Sequence, residues 1–248
     1  MNRILFESGE IADGIATFGG ERAAHVLDVL HGEIGQTLKT GVVDGKIGTS
    51  EIVGISRGQD GGPLVSVKVS HTVESLRPWA DLVLAPPRPR AMKRLLPQLA
   101  AMGVGRIVLV GARKVEKAFW GATLLKEEEY RPLLVDGLMQ AGTSALPTIE
   151  CRRNFKKFVE EELEGFCPAG VRRIVAHPYG AEGKAGESAA PRKEEERVVL
   201  AIGPEGGWTD GEVELLESKG FRRRSLGPRI LRTDTATIAL LAQLMQGD

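Results

Sequence analysis

Four short apolar runs, "DLVLAP" (81–86), "RIVLVGA" (106–112), "RRIVAHP" (172–178) and "RVVLAIG" (197–203), recur along the C-terminal two thirds of the chain, with helical patterns at 90–103, 126–141, 155–164, 210–219 and 234–246 among them. A strand that is apolar at successive positions has to be covered on both faces. Strands alternating with helices meet that need as a parallel sheet with helices on either side. Residues 1–72 follow another rhythm. "TLKTGVV", "KIGTSEIVGIS" and "LVSVKVS" alternate in polarity between glycines, and the Asp-Gly at 44–45 fits a tight hairpin. One helix is expected near 20–30, with Ala23, Val26, Leu27 and Leu30 on a single stripe. The expected organisation is a small β-barrel or sandwich domain over 1–72 and an α/β domain over 73–248. The polar, glycine-rich stretch 180–196 reads as a mobile loop.

Charge and cysteine usage narrow the function classes. The 33 Lys/Arg and 33 Asp/Glu cancel overall, but residues 1–72 carry six basic against nine acidic side chains, leaving the remainder net positive. Three basic clusters, "RPRAMKR" (88–94), "RRNFKK" (152–157) and "RRR" (222–224), have the charge to meet phosphates; taken alone they read as solvated helix faces. No apolar run approaches the roughly 18 residues of a membrane span, and "MNRILFESGE" meets charge too early for a secretory signal. A cytoplasmic protein with no membrane partner is expected. Cys151 and Cys167 are too far apart for a CxxC or zinc-knuckle arrangement, so reduced thiols and no metal are expected.

The chemistry concentrates in two loops. In "AIGPEGGWTDGE" (201–212), Gly203, Gly206 and Gly207 permit close backbone approach. Thr209 and Glu212 form a capping box that starts a helix, and Gly220 followed by Phe221 ends it. A strand's carboxyl end meeting a helix start is where open α/β sheets hold ligands. No G-x-x-x-x-G-K-[ST] is present, and the Gly-x-Gly of "MGVGRIVLVG" precedes its strand, so neither a P-loop nor a dinucleotide fingerprint applies. Alone, the loop fits a purely structural turn as well as a ligand site. The second stretch, "SLGPRILRTDTATIALLAQLMQ" (225–246), repeats the Gly-Pro turn and runs into a helix whose Ile238, Leu240, Leu241, Leu244 and Met245 do not share one stripe. Such a helix is buried all round or packs on another subunit. Two such loops at one sheet edge can enclose a flat small molecule, with Arg229 and Arg232 able to grip a carboxylate or phosphate with two prongs.

"LAIGPEGGWTDGE", "LGPRILRTDTA" and their spacing resemble the ribosomal RNA small-subunit methyltransferase E family, of the SPOUT class; weaker likeness extends over "HVLDVLHGEIGQTL" (25–38) and "AMGVGRIVLVGARK" (101–114). The resemblance implies a PUA-like RNA-binding β-barrel over 1–72 and, over 73–248, a SPOUT-type parallel sheet with a C-terminal trefoil knot. It implies a homodimer that uses S-adenosylmethionine to methylate N3 of a uridine in 16S ribosomal RNA, on naked RNA or the small ribosomal subunit. By position, the cofactor pocket would take Ala176, His177 and Pro178 from a first loop. A second supplies Ile202, Gly203, Pro204, Glu205, Gly206 and Gly207. The third supplies Leu226, Gly227, Ile230, Leu231 and Arg232, followed by Thr233, Thr235 and Ala236, with Leu226, Ile230 and Leu231 lining the adenine slot.

Arg232 is the expected catalytic residue, stabilising charge on the uracil oxygens, with Glu205 as proton acceptor or orienter; the alternative for Arg232 is a structural ion pair with Asp234 or Glu205. His177 is expected to be a satisfied loop histidine. Arg88, Arg90, Lys93 and Arg94 are the expected RNA contacts. This chain has Gln98, Ala101, Met139 and Thr143, and Asp28 and His31 in the N-terminal domain, where the family tends to carry charged residues. These departures fall on the expected RNA side. A same-fold enzyme acting on another base or RNA, and a non-catalytic RNA-binding protein, are the competing expectations.

Overall fold

A computed structural model describes residues 2–178 and 197–246, and the expected loop at 180–196 lies outside the described residues. The chain packs as two units: Met1–Arg77 with Leu134–Leu146, and Pro78–Leu133 with Pro147–Asp248. The division differs from a single cut at 72/73 because the segment 134–146 packs with the first unit. There the Asn2 and Arg3 N–H groups donate to Met139 O at 3.1 and 3.0 Å. The Ser144 hydroxyl donates to Gly45 O at 2.6 Å, and the Leu146 N–H to Asp44 Oδ1 at 2.7 Å. Thr143, where the family tends to have charge, is buried with its hydroxyl 2.8 Å from that of Ser75.

The first unit holds one six-stranded sheet, built from β1 (Ile4–Phe6), β2 (Ile11–Ala12), β3 (Ile15–Phe18), β4 (Thr37–Val42), β5 (Ile47–Arg57) and β6 (Pro63–Val73) in the order β1-β4-β5-β6-β3-β2. β1 and β4 run parallel and every other pair antiparallel. The expected Asp44-Gly45 turn joins β4 to β5, with Asp44 at φ 55 and the Gly45 N–H donating to Val42 O at 2.9 Å. Period-two alternation puts Leu38, Ile52, Val65 and Val67 into a core with Phe6 and Phe18. The helix expected near 20–30 corrects in part. A short α1 (Gly20–Ala24) runs into a wider turn at His25–Val29, closed by the Leu30 N–H on His25 O at 3.1 Å. Ala23 and Val26 stay buried, but the i→i+5 turn carries Leu30 off the stripe and leaves it exposed.

The second unit is the expected parallel sheet. Its strands are β7 (Ala80–Leu84), β8 (Val104–Val110), β9 (Thr148–Arg152), β10 (Arg172–Ala176), β11 (Val198–Ile202) and β12 (Arg222–Arg224), in the order β12-β10-β11-β7-β8-β9. All five pairings are parallel. The helices are α2 (Pro89–Ala101), α3 (Glu127–Ala141, whose C-terminal half belongs to the first unit), α4 (Phe155–Lys157), α5 (Leu163–Phe166), α6 (Asp210–Ser218) and α7 (Thr233–Gln246). A second i→i+5 turn, Phe158–Glu162, links α4 and α5. Val83, Val108, Val175, Val199 and Ala201 face Phe155, Phe158, Leu163, Trp208, Val213 and Leu216 across one layer. The alternate strand positions turn to the other face, where α2 packs on α7 and β8, and α7 on β11.

Inside this sheet Asp81, fully buried, accepts from Arg106 and Arg197, each at 2.7 Å. The Arg106 guanidinium also lies 4.3 Å from the centre of the Phe166 ring. No helix among the described residues is long and apolar enough to cross a membrane.

Both cysteines are free; Cys151 is exposed and Cys167 buried. Burial pushes the Cys167 thiol up to about 11. An unfolded thiol titrates near 8.5, so the folded chain favours the protonated form. The resulting stabilisation is complete below roughly pH 8.5 and is lost as pH rises toward about 11. Urea titrations should show the wild-type midpoint falling more steeply than that of Cys167→Val over this window. An identical pH slope in both would remove Cys167 as the cause.

Candidate active site

Three loops leave the carboxyl ends of β10, β11 and β12 and enclose a cavity of about 430 Å³, within the roughly 300–1,000 Å³ of small-molecule sites. The β11 loop is fixed first. Pro204–Gly207 forms a turn closed by the Gly207 N–H on Pro204 O at 2.8 Å, with Gly207 at φ 70. A Cβ on Gly203 would stand 3.0 Å from the Trp208 backbone nitrogen, so the turn closes this tightly only with glycine there. The expected capping box then starts α6. Glu212 Oε2 accepts from the Thr209 N–H at 2.8 Å and from its hydroxyl at 2.9 Å, while Oε1 accepts the Arg113 N–H at 2.7 Å. Gly220, at φ 82, ends α6 as expected, with the Phe221 N–H reaching back to Leu216 O at 3.2 Å.

The other two loops are tied to it and to each other. The Ser225 hydroxyl donates to Pro178 O at 3.2 Å, and the His177 N–H donates to Arg224 O at 3.0 Å. The Thr233 hydroxyl donates to Gly203 O at 3.3 Å. The arginine cluster "RRR" is thus an edge strand rather than a helix face. Arg223 grips Glu217 through Nε at 2.8 Å and Nη2 at 2.9 Å, which holds that carboxyl below its usual range. In "RRNFKK", Arg152 pairs with Glu150 and Glu162, Lys156 with Glu160 and Lys157 with Glu161.

Most expected cofactor residues line this cavity. Ala176, His177 and Pro178 form one wall, and Ile202 through Gly207 a second. Leu226, Ile230, Leu231, Thr233 and Ala236 form the third. Three do not line it. Gly227 is held against Ser225, whose hydroxyl oxygen accepts its N–H at 3.2 Å. On α7, helical spacing turns Thr233, Ala236 and Leu240 to the cavity, and Thr235 points to solvent. Arg232 is exposed at the start of the helix, outside the wall.

Lys114, Trp208, Asp210, Arg224 and Ser225 also line the cavity, as does Arg229. Lys114, the last residue of "AMGVGRIVLVGARK", arrives from the β8 loop. Arg232 makes no ion pair among the described residues: Asp234 pairs with Arg94 at 3.3 Å, and Glu205 Oε1 accepts the Arg88 N–H at 2.9 Å. Of the expected RNA contacts, Arg88 is paired with Glu116 at 3.0 Å, while Arg90 and Lys93 are exposed on α2 without an ion pair among the described residues.

The wall chemistry is divided. Leu226, Ile230, Leu231, Ala236 and Leu240 give an apolar slot, in which Ile230 is 73% exposed. Lys114, Arg224 and Arg229 set positive charge, and Glu205 and Asp210 negative charge, around the remaining rim. A flat apolar ring joined to a group bearing both charge signs fits this donor set.

A family model for the RNA methyltransferase domain matches residues 74–245. The chain is 30% identical over 249 residues to the ribosomal RNA small subunit methyltransferase E of Treponema pallidum, spanning 99% of this chain and 91% of that protein. A Legionella pneumophila structure described as a methyltransferase with its cofactor SAM bound is 26% identical, with a TM-score of 0.70 over 98% of this chain and 96% of that one. The Neisseria gonorrhoeae ribosomal RNA small subunit methyltransferase E, solved with S-adenosylmethionine, shares the fold at 20% identity and a TM-score of 0.69, covering 100% of this chain and 99% of that one.

Proposed function

This chain belongs to the ribosomal RNA small subunit methyltransferase E family of RNA methyltransferases, and we propose that it transfers a methyl group from S-adenosylmethionine to N3 of a uridine in 16S ribosomal RNA. The observation that carries this reading is the three-loop cavity, with its apolar slot and two-signed rim, in a chain that aligns end to end with a named member of that family.

When bound, S-adenosylmethionine supplies an activated methyl group on a sulfonium. The chain's own work is then mainly alignment. Leu226, Ile230 and Leu231 hold an adenine ring, and the glycine turn brings its backbone against the ligand. Arg224 and Arg229 are placed to receive a carboxylate, and Asp210 an ammonium or sulfonium. Uracil N3 would release its proton to water, spreading negative charge onto the flanking carbonyl oxygens, and that nitrogen would then take the methyl group as its bond to sulfur breaks and the neutral thioether leaves. Arg232, without an ion pair among the described residues and just outside the cavity, supplies the compensating charge there.

The fold reading goes with this function: residues 1–72 as a PUA-like RNA-binding domain and 73–248 as a knotted SPOUT domain. Arg90 and Lys93 contact RNA phosphates. Exposed Met245 and half-buried Ile238 on α7 join a second copy in a homodimer, working in the cytoplasm where ribosomal subunits are assembled.

Methyl transfer from labelled S-adenosylmethionine to small ribosomal subunits lacking the native uridine methylation, followed by mass mapping, tests the proposal. Label at one uridine N3 is the expected result. Cofactor binding with label elsewhere would move the substrate to another base or RNA. RNA binding without cofactor binding or turnover would make the chain a binding protein.

A further inference from the structure

The cofactor turn is gripped on both flanks by residues that the proposed chemistry leaves without a role. Lys114 Nζ donates to Gly206 O at 2.8 Å. A Cβ on Gly206 would stand 3.0 Å from Lys114 Cδ and 3.2 Å from its Cβ, so the lysine stem lies flat on a residue that has no side chain to hold it off. The neighbouring Arg113 N–H donates to Glu212 at the start of α6, which fixes where Lys114 begins.

On the other flank, Glu205 Oε1 accepts the N–H of Arg88, the N-cap of α2. That carboxylate therefore sits at the positive end of a 13-residue helix. Arg88 in turn reaches Glu116, two residues along from Lys114, with Nε at 3.0 Å. The contacts close a ring: Glu205, Arg88, Glu116, Lys114, Gly206 and back to Glu205.

The ring joins the loops after β7, β8 and β11. Those strands are neighbours in the order β11-β7-β8. Beyond β11 the chain runs on toward β12 on one side, and beyond β7 toward β8 on the other. The Glu205–Arg88 contact spans the gap that this divergence opens, which is where sheets of this kind leave a crevice.

We propose that this ring is a brace that holds the cofactor turn in its binding shape, with Lys114 and Glu205 as positioning residues and Glu205 not the proton acceptor. The inference rests on the S-adenosylmethionine reading above. Each contact is exposed and adds little to the stability of the fold. What the brace controls is the shape of the turn, and small displacements at such a wall are costly to binding.

Calorimetric titration with S-adenosylmethionine, together with thermal unfolding of the same proteins, tests the brace. Lys114→Ala weakens binding about tenfold with an unchanged unfolding midpoint. Lys114→Met, which keeps the stem, recovers part of the loss. Glu205→Ala weakens binding similarly, whereas Glu205→Gln, still able to accept the Arg88 N–H, recovers most of it. In methyl transfer the loss falls on the KM for the cofactor rather than on kcat. Unchanged affinity in Lys114→Ala would overturn the brace. So would a Glu205→Gln enzyme as inactive as Glu205→Ala at saturating cofactor, which would restore Glu205 as the base. A wild-type protein that does not bind S-adenosylmethionine would instead overturn the functional reading itself.

Discussion

Replacing Arg232 by alanine should lower kcat for methyl transfer by about 100- to 1,000-fold, the range for loss of one group that stabilises developing oxyanion charge. Affinity for S-adenosylmethionine should stay within about twofold. The separation follows from where the side chain stands: it is exposed beside the cavity, not part of its wall, and makes no ion pair among the described residues. The structural pairings available to it are taken, since Asp234 meets Arg94 and Glu205 meets the Arg88 N–H. Arg232→Lys keeps the charge but not the planar fork, and should recover only part of the rate. Single-turnover transfer measured beside calorimetric binding is the check. Equal loss of binding and rate would make Arg232 a cofactor ligand, and no loss of either would remove it from the chemistry.

The second large effect is on stability. Asp81→Ala should destabilise the protein by about 3 kcal/mol, at the low end of the cost of removing one partner from a buried ion pair. Asp81 is completely buried between Arg106 and Arg197, whose side chains are 33% and 35% exposed. Losing the carboxylate strands two cations, but each is close enough to solvent to be partly rehydrated, which favours the low end. Arg106 also keeps its place over the Phe166 ring. For a chain of this size the unfolding midpoint should drop by roughly 6–12 °C. A drop below about 2 °C would show that water already serves both arginines, and that Asp81 is held by packing alone.

The elements legible in the sequence are those whose cause is local. Four strands follow from continuous β-branched runs, and the limits of α6 from the Thr209–Glu212 box and Gly220. The two remaining strands of the parallel sheet lack such a cause. β9 reads "TIECR" and β12 reads "RRR", and neither carries an apolar run. β12 is a strand because its backbone pairs with β10, while Arg223 finds Glu217 six residues away.

The site divides in the same way. The glycine turn and the Gly-Pro loop are visible as motifs, and most of their residues do line one cavity. Helical phase, which a contiguous motif does not express, separates Thr235 from Ala236. The reach of Lys114 onto Gly206 crosses 92 positions, and nothing near either residue announces it.

The two wide helical turns, His25–Val29 and Phe158–Glu162, have a consequence for chain length. An i→i+5 turn holds one residue more than a regular one, so each is a single-residue insertion absorbed without a loop. At His25–Val29 the extra residue is accommodated on the solvent side, through exposed Asp28, Val29 and Leu30, while Ala23 and Val26 keep their places in the core. At these two points the fold can gain or lose a residue by exchanging one helical pitch for another, so gaps between related sequences can open inside a helix rather than between elements.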